Sequence, residues 1–548
     1  MGHSRVFRKL IRVLQSARRA NLAAAGESPV RARDECWQSR RRFLKTAGLA
    51  GAAGLAATAL PGMVRRAWAS GSGDEVRVAI VGAGLAGLNA AYHLKKAGIR
   101  AQVYEASDRL GGRVLSRTGL VGKGLVTELG GEFINSDHDD MLALAQDFGL
   151  PLFNRLDDFK RFSFPVSGYF FGGVAWREGE LADLLRPLAA QITADADKLD
   201  KNWDRYAPKF DRYSVSDYLD QHAGLIPQPF IRSLIEGAVR AEYGVEPQYS
   251  TALQLLFMLP TVDGDRVELL SSSDEAYTVE GGNGRIVDGL AQALAGQVHT
   301  GHALERLEAQ RPDEFRLRFR NGQVLEAEYV ILALPFTVLR RVELDLPLPA
   351  KLRAFIQQVD LGANDKVMAG YAARAWRHPQ GFVGEAWTDL GFSEVWDGTQ
   401  RQVDRDDAAL TYYLGGREVA AADNAGGGAE QLGREFTHRL AAFTPGLDAA
   451  STGKFARTSW TRNPLTRGAY TSFKPGQLTR FGEYLWVESD DPAKQQEVRV
   501  GRLAFAGEQL SDEYYGFMNG GAQTGRLAAQ VVARELSLST TKLQQRQT

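Results

Sequence analysis

Glu75-Val76-Arg77-Val78-Ala79-Ile80-Val81-Gly82-Ala83-Gly84-Leu85-Ala86-Gly87 decides the fold of this chain. The first seven residues alternate and then run apolar into Val81, the pattern of a buried strand. Gly82, Gly84 and Gly87 follow with the spacing Gly-x-Gly-x-x-Gly, and a helix over about residues 85–97 is predicted to open there. Gly82 permits a tight turn, Gly84 lets the backbone approach a pyrophosphate, and Gly87 lets helix and strand pack closely. A diphosphate would then rest on the helix N-terminus, where free N–H groups favour an anion. Residues 100–105 read as a second strand, and Glu105 at its end is placed to bind ribose hydroxyls. Strand, turn, helix, strand and acid in this order predict a Rossmann-like, α/β dinucleotide-binding unit.

Reading onward, Glu105-Ala106-Ser107-Asp108-Arg109-Leu110-Gly111-Gly112-Arg113 lets backbone run beneath the diphosphate and supplies charge beside it. This stretch resembles the second FAD motif of the flavin amine oxidases, a family that includes monoamine oxidases, polyamine oxidases and L-amino-acid oxidases. Glu128-Leu129-Gly130-Gly131 resembles that family's turn at the flavin ring, and Tyr329 to Pro335 its closing strand. Phe505-Ala506-Gly507-Glu508 and the segment from Gly516 to Gly525 resemble its last FAD motif. The resemblance implies FAD held by Gly82, Gly84, Gly87, Glu105, Arg109, Gly112, Arg113, Gly130, Gly131, Glu508 and Met518. Glu508 would hold the ribityl chain. A helix starting at Met518 would turn its N-terminal dipole toward the flavin. Ala469 stands where animal monoamine oxidases link the flavin to a cysteine, so the FAD is expected to be non-covalent.

The same resemblance implies the chemistry. Lys366, in Asn364-Asp365-Lys366-Val367-Met368, matches the family lysine that holds a water against flavin N5. Tyr470 and Phe517 fall at two aromatic positions that guide the amine nitrogen and exclude water. The implied reaction is oxidative deamination of an L-amino acid or primary amine by hydride transfer to flavin N5. Imine, carbonyl product, ammonia and hydrogen peroxide would follow, with oxygen as acceptor. The alternative is a periplasmic dehydrogenase passing electrons to a cytochrome or quinone. Several L-amino-acid oxidases carry an arginine two residues beyond the turn, as a bidentate clamp on the substrate carboxylate. Phe133 stands there, preceded by Glu132. Glu132 is read either as a contact for a cationic substrate or as a structural hydrogen bond. An arginine from the helical lobe or from near Trp396-Asp397 is the other possible clamp.

Of 548 residues, 24% are charged and 44% hydrophobic, a globular composition. Residues 1–69 hold 14 Lys and Arg against 3 Asp and Glu, which leaves the rest with a net charge of −11. An acidic body argues against nucleic acid as a partner. Ser39-Arg40-Arg41-Arg42-Phe43-Leu44-Lys45, the Ala- and Gly-rich run after it, and Ala67-Trp68-Ala69 resemble a twin-arginine export signal with its cleavage site. A periplasmic or secreted protein, exported folded with its cofactor, is therefore expected. Cys36, the single cysteine, falls in that signal, and the eight histidines show no zinc-type cluster, so no metal is expected.

The expected organisation is a signal peptide at 1–69 and an FAD-binding domain from 74–150, 277–345 and 455–536. A substrate-binding domain from 151–276 and 346–454 completes it, with a mixed sheet, an α+β character and a helical insertion over about 146–276. Residues 537–548 read as a disordered tail. A homodimer is expected from the family resemblance.

Overall fold

The computed structural model describes residues 75–311, 314–426, 428–489 and 494–545. The export signal, its cleavage site and Cys36 lie outside the described residues. Val78, Ala79 and Ile80 are fully buried, as a strand covered on both faces requires. Their strand, Glu75–Val81, belongs to a nine-stranded sheet and pairs in parallel with Gln102–Tyr104 and Val324–Leu332. Val298–His299 extends the sheet beyond Gln102–Tyr104. Val324–Leu332 changes neighbour along its length: its first half pairs antiparallel with Glu314–Phe319, its last three residues parallel with Leu503–Phe505.

The register sets Val81 level with Tyr104 and Leu332, and Leu332 level with Phe505. Gly82, Glu105, Ala333 and Ala506 thus leave the sheet together, at the carboxyl ends of parallel strands where open α/β sheets bind ligands. Helix Leu85–Lys96 rises from this edge. Beside it runs the last helix, Met518–Gln545. A Cβ on Gly525 would lie 2.2 Å from Ala86 O, and Asn89 Nδ2 donates to Ala522 O at 2.7 Å. Residues 537–545, expected to be disordered, are instead the end of this helix; after Gly525 no glycine or proline breaks the run.

A second, seven-stranded sheet has the order Ser451–Arg457, Asn364–Tyr371, Ala408–Gly415, Glu394–Asp397, Glu385–Thr388, Ser167–Phe171, Val174–Trp176. Its pairs are antiparallel except Glu385–Thr388 with Ser167–Phe171, so the sheet is mixed. Helices from Glu178–Lys201 to Ala252–Met258 form the insertion. The helical expectation over 146–276 is too broad. Leu152–Asn154, Ser167–Phe171, Val174–Trp176, Thr261–Asp263 and Arg266–Glu268 within it are strands. The run Tyr169-Phe170-Phe171 is β-prone, and pairing on both sides buries it almost completely. Among the described residues no helix is long and apolar enough to cross a membrane.

Candidate active site

The glycine turn is shaped by contacts that only a missing side chain allows. Gly82 has φ +100°, and a Cβ there would lie 2.6 Å from Ala333 O; one on Gly87 would lie 1.9 Å from Gly82 O. A Cβ on Gly84, by contrast, would meet nothing within 4 Å, so the space before the helix N-terminus is open. Gly112 packs beside Gly84, where a Cβ on Gly112 would lie 3.2 Å from Gly84 Cα. The result is a backbone cradle of the kind that holds a diphosphate. Glu105 Oε2 accepts from Ala83 N at 2.8 Å, and its other oxygen accepts from Ser107 N and Oγ. Arg109 also lines the cavity, but its guanidinium donates to Leu110 O and Gly112 O and so shapes the loop. Arg113 Nη1 donates to Glu508 Oε1 at 2.8 Å, and Glu508 further accepts from Thr471 Oγ1 at 2.8 Å and Gly516 N at 2.7 Å. One buried carboxylate thereby joins three distant segments.

A cavity of about 450 Å³ runs from this cradle past Gly130 and Gly131 to Tyr470 and Phe517. Met518 begins the last helix there, and a Cβ on Gly131 would lie 2.6 Å from Met518 Cγ. The open cradle, the carboxylate at the second strand and the helix N-terminus beyond the turn fit FAD. When bound, FAD supplies the two-electron oxidation.

Lys366, Tyr413 and Glu394 lie side by side across three strands of the second sheet, in the pairs Lys366–Tyr413 and Tyr413–Glu394. Trp396, two residues beyond Glu394, shares that face. Lys366 is buried, and its Nζ donates to Glu132 Oε2 at 2.7 Å, Gly130 O at 2.9 Å and Glu128 O at 3.2 Å. All three N–H donors of the ammonium are thus engaged, which leaves none for the water that Lys366 was expected to hold against flavin N5. The Trp396 ring centroid is 5.2 Å away. The lysine therefore grips the glycine turn that the resemblance places at the flavin. Glu132 is not a free contact for a substrate cation, because its carboxylate is paired with Lys366. Phe133, where a carboxylate clamp was sought, lies 3.8 Å from the Arg155 guanidinium and 5.4 Å from the Trp396 ring.

Tyr470 OH donates to Ala241 O at 2.9 Å and accepts from Tyr413 OH at 3.1 Å. Burial raises the pKa of both phenols, which keeps them neutral. Ala469 precedes Tyr470 and offers no thiol. Phe517 packs on the ring of His138, 5.2 Å away. Trp460 Nε1 donates to Leu129 O at 2.9 Å and braces the glycine turn from behind.

Three residues that sequence reading passed over line the substrate end: Glu242, Glu275 and Glu394. Glu242 comes from the last turn of helix Pro229–Tyr243, which forms because Ile231, Leu234, Ile235 and Ala238 fall on one buried face. Glu275 holds φ +43° just before strand Tyr277–Val279. Burial pushes the Glu242 carboxyl up to about 8. Burial likewise takes Glu275 to about 7, against the pull of Arg155 at 3.2 Å. Burial, then the neighbouring Glu385 and Glu275, raises Glu394 well above the usual carboxylate range. The three come from separate segments and form no motif. The one local cue was Glu394, two residues before Trp396 on a strand.

Comparison with known proteins agrees with this geometry. Residues 85–533 match the family model described as flavin containing amine oxidoreductase. The chain is 25% identical over 462 residues to a probable flavin-containing monoamine oxidase A of Dictyostelium discoideum, covering 82% of this chain and 95% of that one. It is 24% identical to the flavin-containing amine oxidase A of Sus scrofa, over 86% of this chain and 88% of that one. Among solved structures, a putrescine oxidase bound to putrescine superposes with a TM-score of 0.67 at 24% identity, covering 84% of this chain and 99% of that one. Cyclohexylamine oxidase from Brevibacterium oxydans IH-35A superposes with a TM-score of 0.66 at 23% identity, covering 84% and 100%. This chain belongs to the family of flavin-containing amine oxidoreductases, and FAD is its cofactor.

Proposed function

We propose that this protein oxidises a primary amine, for which bound FAD would supply the two-electron oxidation at the α-carbon, with oxygen as the final acceptor. The imine so formed is hydrolysed to a carbonyl product and ammonia, and hydrogen peroxide is released. Tyr470 and Phe517 flank the amine nitrogen and keep water away from it. Lys366 and Glu132 hold the turn beneath.

The charge of the substrate wall carries the choice of an amine over an L-amino acid. The cavity's arginines, Arg109, Arg113, Arg320 and Arg341, all come from segments of the nucleotide-binding half. The second sheet and the helical insertion contribute Glu394 and Glu242 to the lining, and no arginine. An α-carboxylate there would lose its hydration without a cationic partner, beside carboxyls that its charge would hold protonated. The putrescine and cyclohexylamine oxidases that share the fold bear names of amines, which supports the same reading. The test is a panel of primary amines and L-amino acids assayed for ammonia and peroxide. Equal release of both from an amine is expected. Turnover only with an artificial electron acceptor would favour the dehydrogenase instead.

We further propose export by the twin-arginine route, from the match at Ser39 to Lys45. Replacing Arg40 and Arg41 by lysine should hold the protein in the cytoplasm. Unchanged export of that variant would contradict the assignment.

A further inference from the structure

Amine oxidation as read above leaves the carboxylates of the substrate wall without a task. Glu394 is 7% exposed, lines the cavity, and among the described residues accepts no hydrogen bond and forms no ion pair. Glu242 lines the same cavity and likewise has no hydrogen-bond or ion-pair partner among the described residues. Glu275 has one, the Arg155 guanidinium at 3.2 Å. Its left-handed backbone is held by Asn135 Oδ1, which accepts from Glu275 N at 3.0 Å, and by Arg155, which donates to Glu275 O at 3.1 Å. Such a conformation at a charged residue beside a cavity is costly and persists where the surroundings fix it. Glu385, opposite Trp396 on the neighbouring strand, adds a fourth carboxylate, with Trp387 Nε1 donating to it at 3.2 Å. Lys366, the lysine of the cavity lining, is already neutralised by Glu132. One buried and three half-buried acids thus share a single guanidinium, an arrangement that desolvation penalises unless a cation arrives or protons stay on.

The cation is not a metal ion. Among the described residues no three His, Cys, Asp or Glu side chains converge to hold one. Phe133, Trp396 and Tyr413 line the same cavity as these acids, Tyr470 and Phe517, and offer surfaces suited to a methylene chain and to an organic ammonium. We propose that Glu242, Glu275 and Glu394 form a subsite for a second ammonium group, so that the preferred substrate is an aliphatic diamine or polyamine. This rests on the amine-oxidation reading and narrows it. The reacting amine enters neutral between Tyr470 and Phe517, while the distal one stays protonated among the carboxylates.

The test uses the FAD-loaded enzyme with diaminopentane and pentylamine, two amines of equal chain length. The diamine should show a kcat/KM at least about tenfold higher, the effect of one desolvated ion pair. It should also raise the melting temperature of the enzyme under anaerobic conditions where the monoamine at equal concentration does not. Glu394→Gln, and separately Glu242→Gln, should collapse both differences while the flavin content stays that of the wild type. A kcat/KM ratio near one in the wild type, or a ratio that survives in both variants, would overturn the subsite. If neither amine is turned over, the oxidation reading fails, and the melting shift still decides whether the subsite binds a second ammonium.

Discussion

Lys366 and Glu132 form an ion pair of 2.7 Å in which both side chains are less than a tenth exposed. The pair lies against the backbone of Glu128 and Gly130, at the turn where the flavin ring is expected. Breaking one half of a buried pair strands the other charge and costs about 3–5 kcal/mol. Lys366→Met should therefore lower the melting temperature as well as slow flavin reoxidation. Adding Glu132→Gln should restore most of the stability and none of the reoxidation rate. The account of Lys366 fails if stopped-flow mixing of the reduced single variant with oxygen matches the wild type.

Two glycines of the first turn separate folding from cofactor binding. A Cβ on Gly87 would lie 1.9 Å from backbone, whereas one on Gly84 meets no protein atom within 4 Å. Gly87→Ala should yield little folded protein. Gly84→Ala should fold with an unchanged circular dichroism spectrum but purify with little FAD, because the new methyl occupies the diphosphate space. A full flavin-to-protein ratio in Gly84→Ala would show that the cradle lies elsewhere.

Stability should depend on pH through the substrate-wall acids. Their folded pKa values lie above the ordinary carboxylate value of 4.5, at about 8 for Glu242 and about 7 for Glu275. Between these limits the folded state holds protons that the unfolded chain has lost. Stability from these groups is complete below pH 4.5 and fades as pH rises through 7 and 8. The facing groups are Glu394, Glu385, Arg155 and the Tyr413 and Tyr470 phenols. The melting temperature of the wild type should thus fall more steeply across this range than that of Glu242→Gln. Parallel curves for the two proteins would refute the assignment of raised carboxyls.

Much of the nucleotide half was legible because its chemistry is local. Gly82 to Gly87, Glu105 and the strand between them stand within one stretch of chain, and close backbone approach dictates glycine at fixed spacings. Lys366, Tyr470 and Phe517 were reachable through the family pattern, and all three line the cavity. The role of Glu132 was not, because its partner lies 234 residues away in sequence and only the strand register brings them together. Glu242, Glu275 and Glu394 were invisible for the same reason. Each reads in isolation as an ordinary acid on a helix, a loop or a strand. The strand at Ser167–Phe171 was lost inside an amphipathic neighbourhood, since short apolar runs do not distinguish helix from sheet.

The central claim is that this wall admits an amine and rejects an α-carboxylate. Diaminopentane and L-lysine differ by one carboxylate and make the cleanest pair. Each is mixed anaerobically with the FAD-loaded enzyme, and the loss of the flavin's visible absorption is followed by stopped flow. The account predicts rapid bleaching by the diamine and a reduction at least about a hundredfold slower with L-lysine, the scale of one unpaired, desolvated charge. Reduction by L-lysine as fast as by the diamine, or no reduction by the diamine, would contradict it.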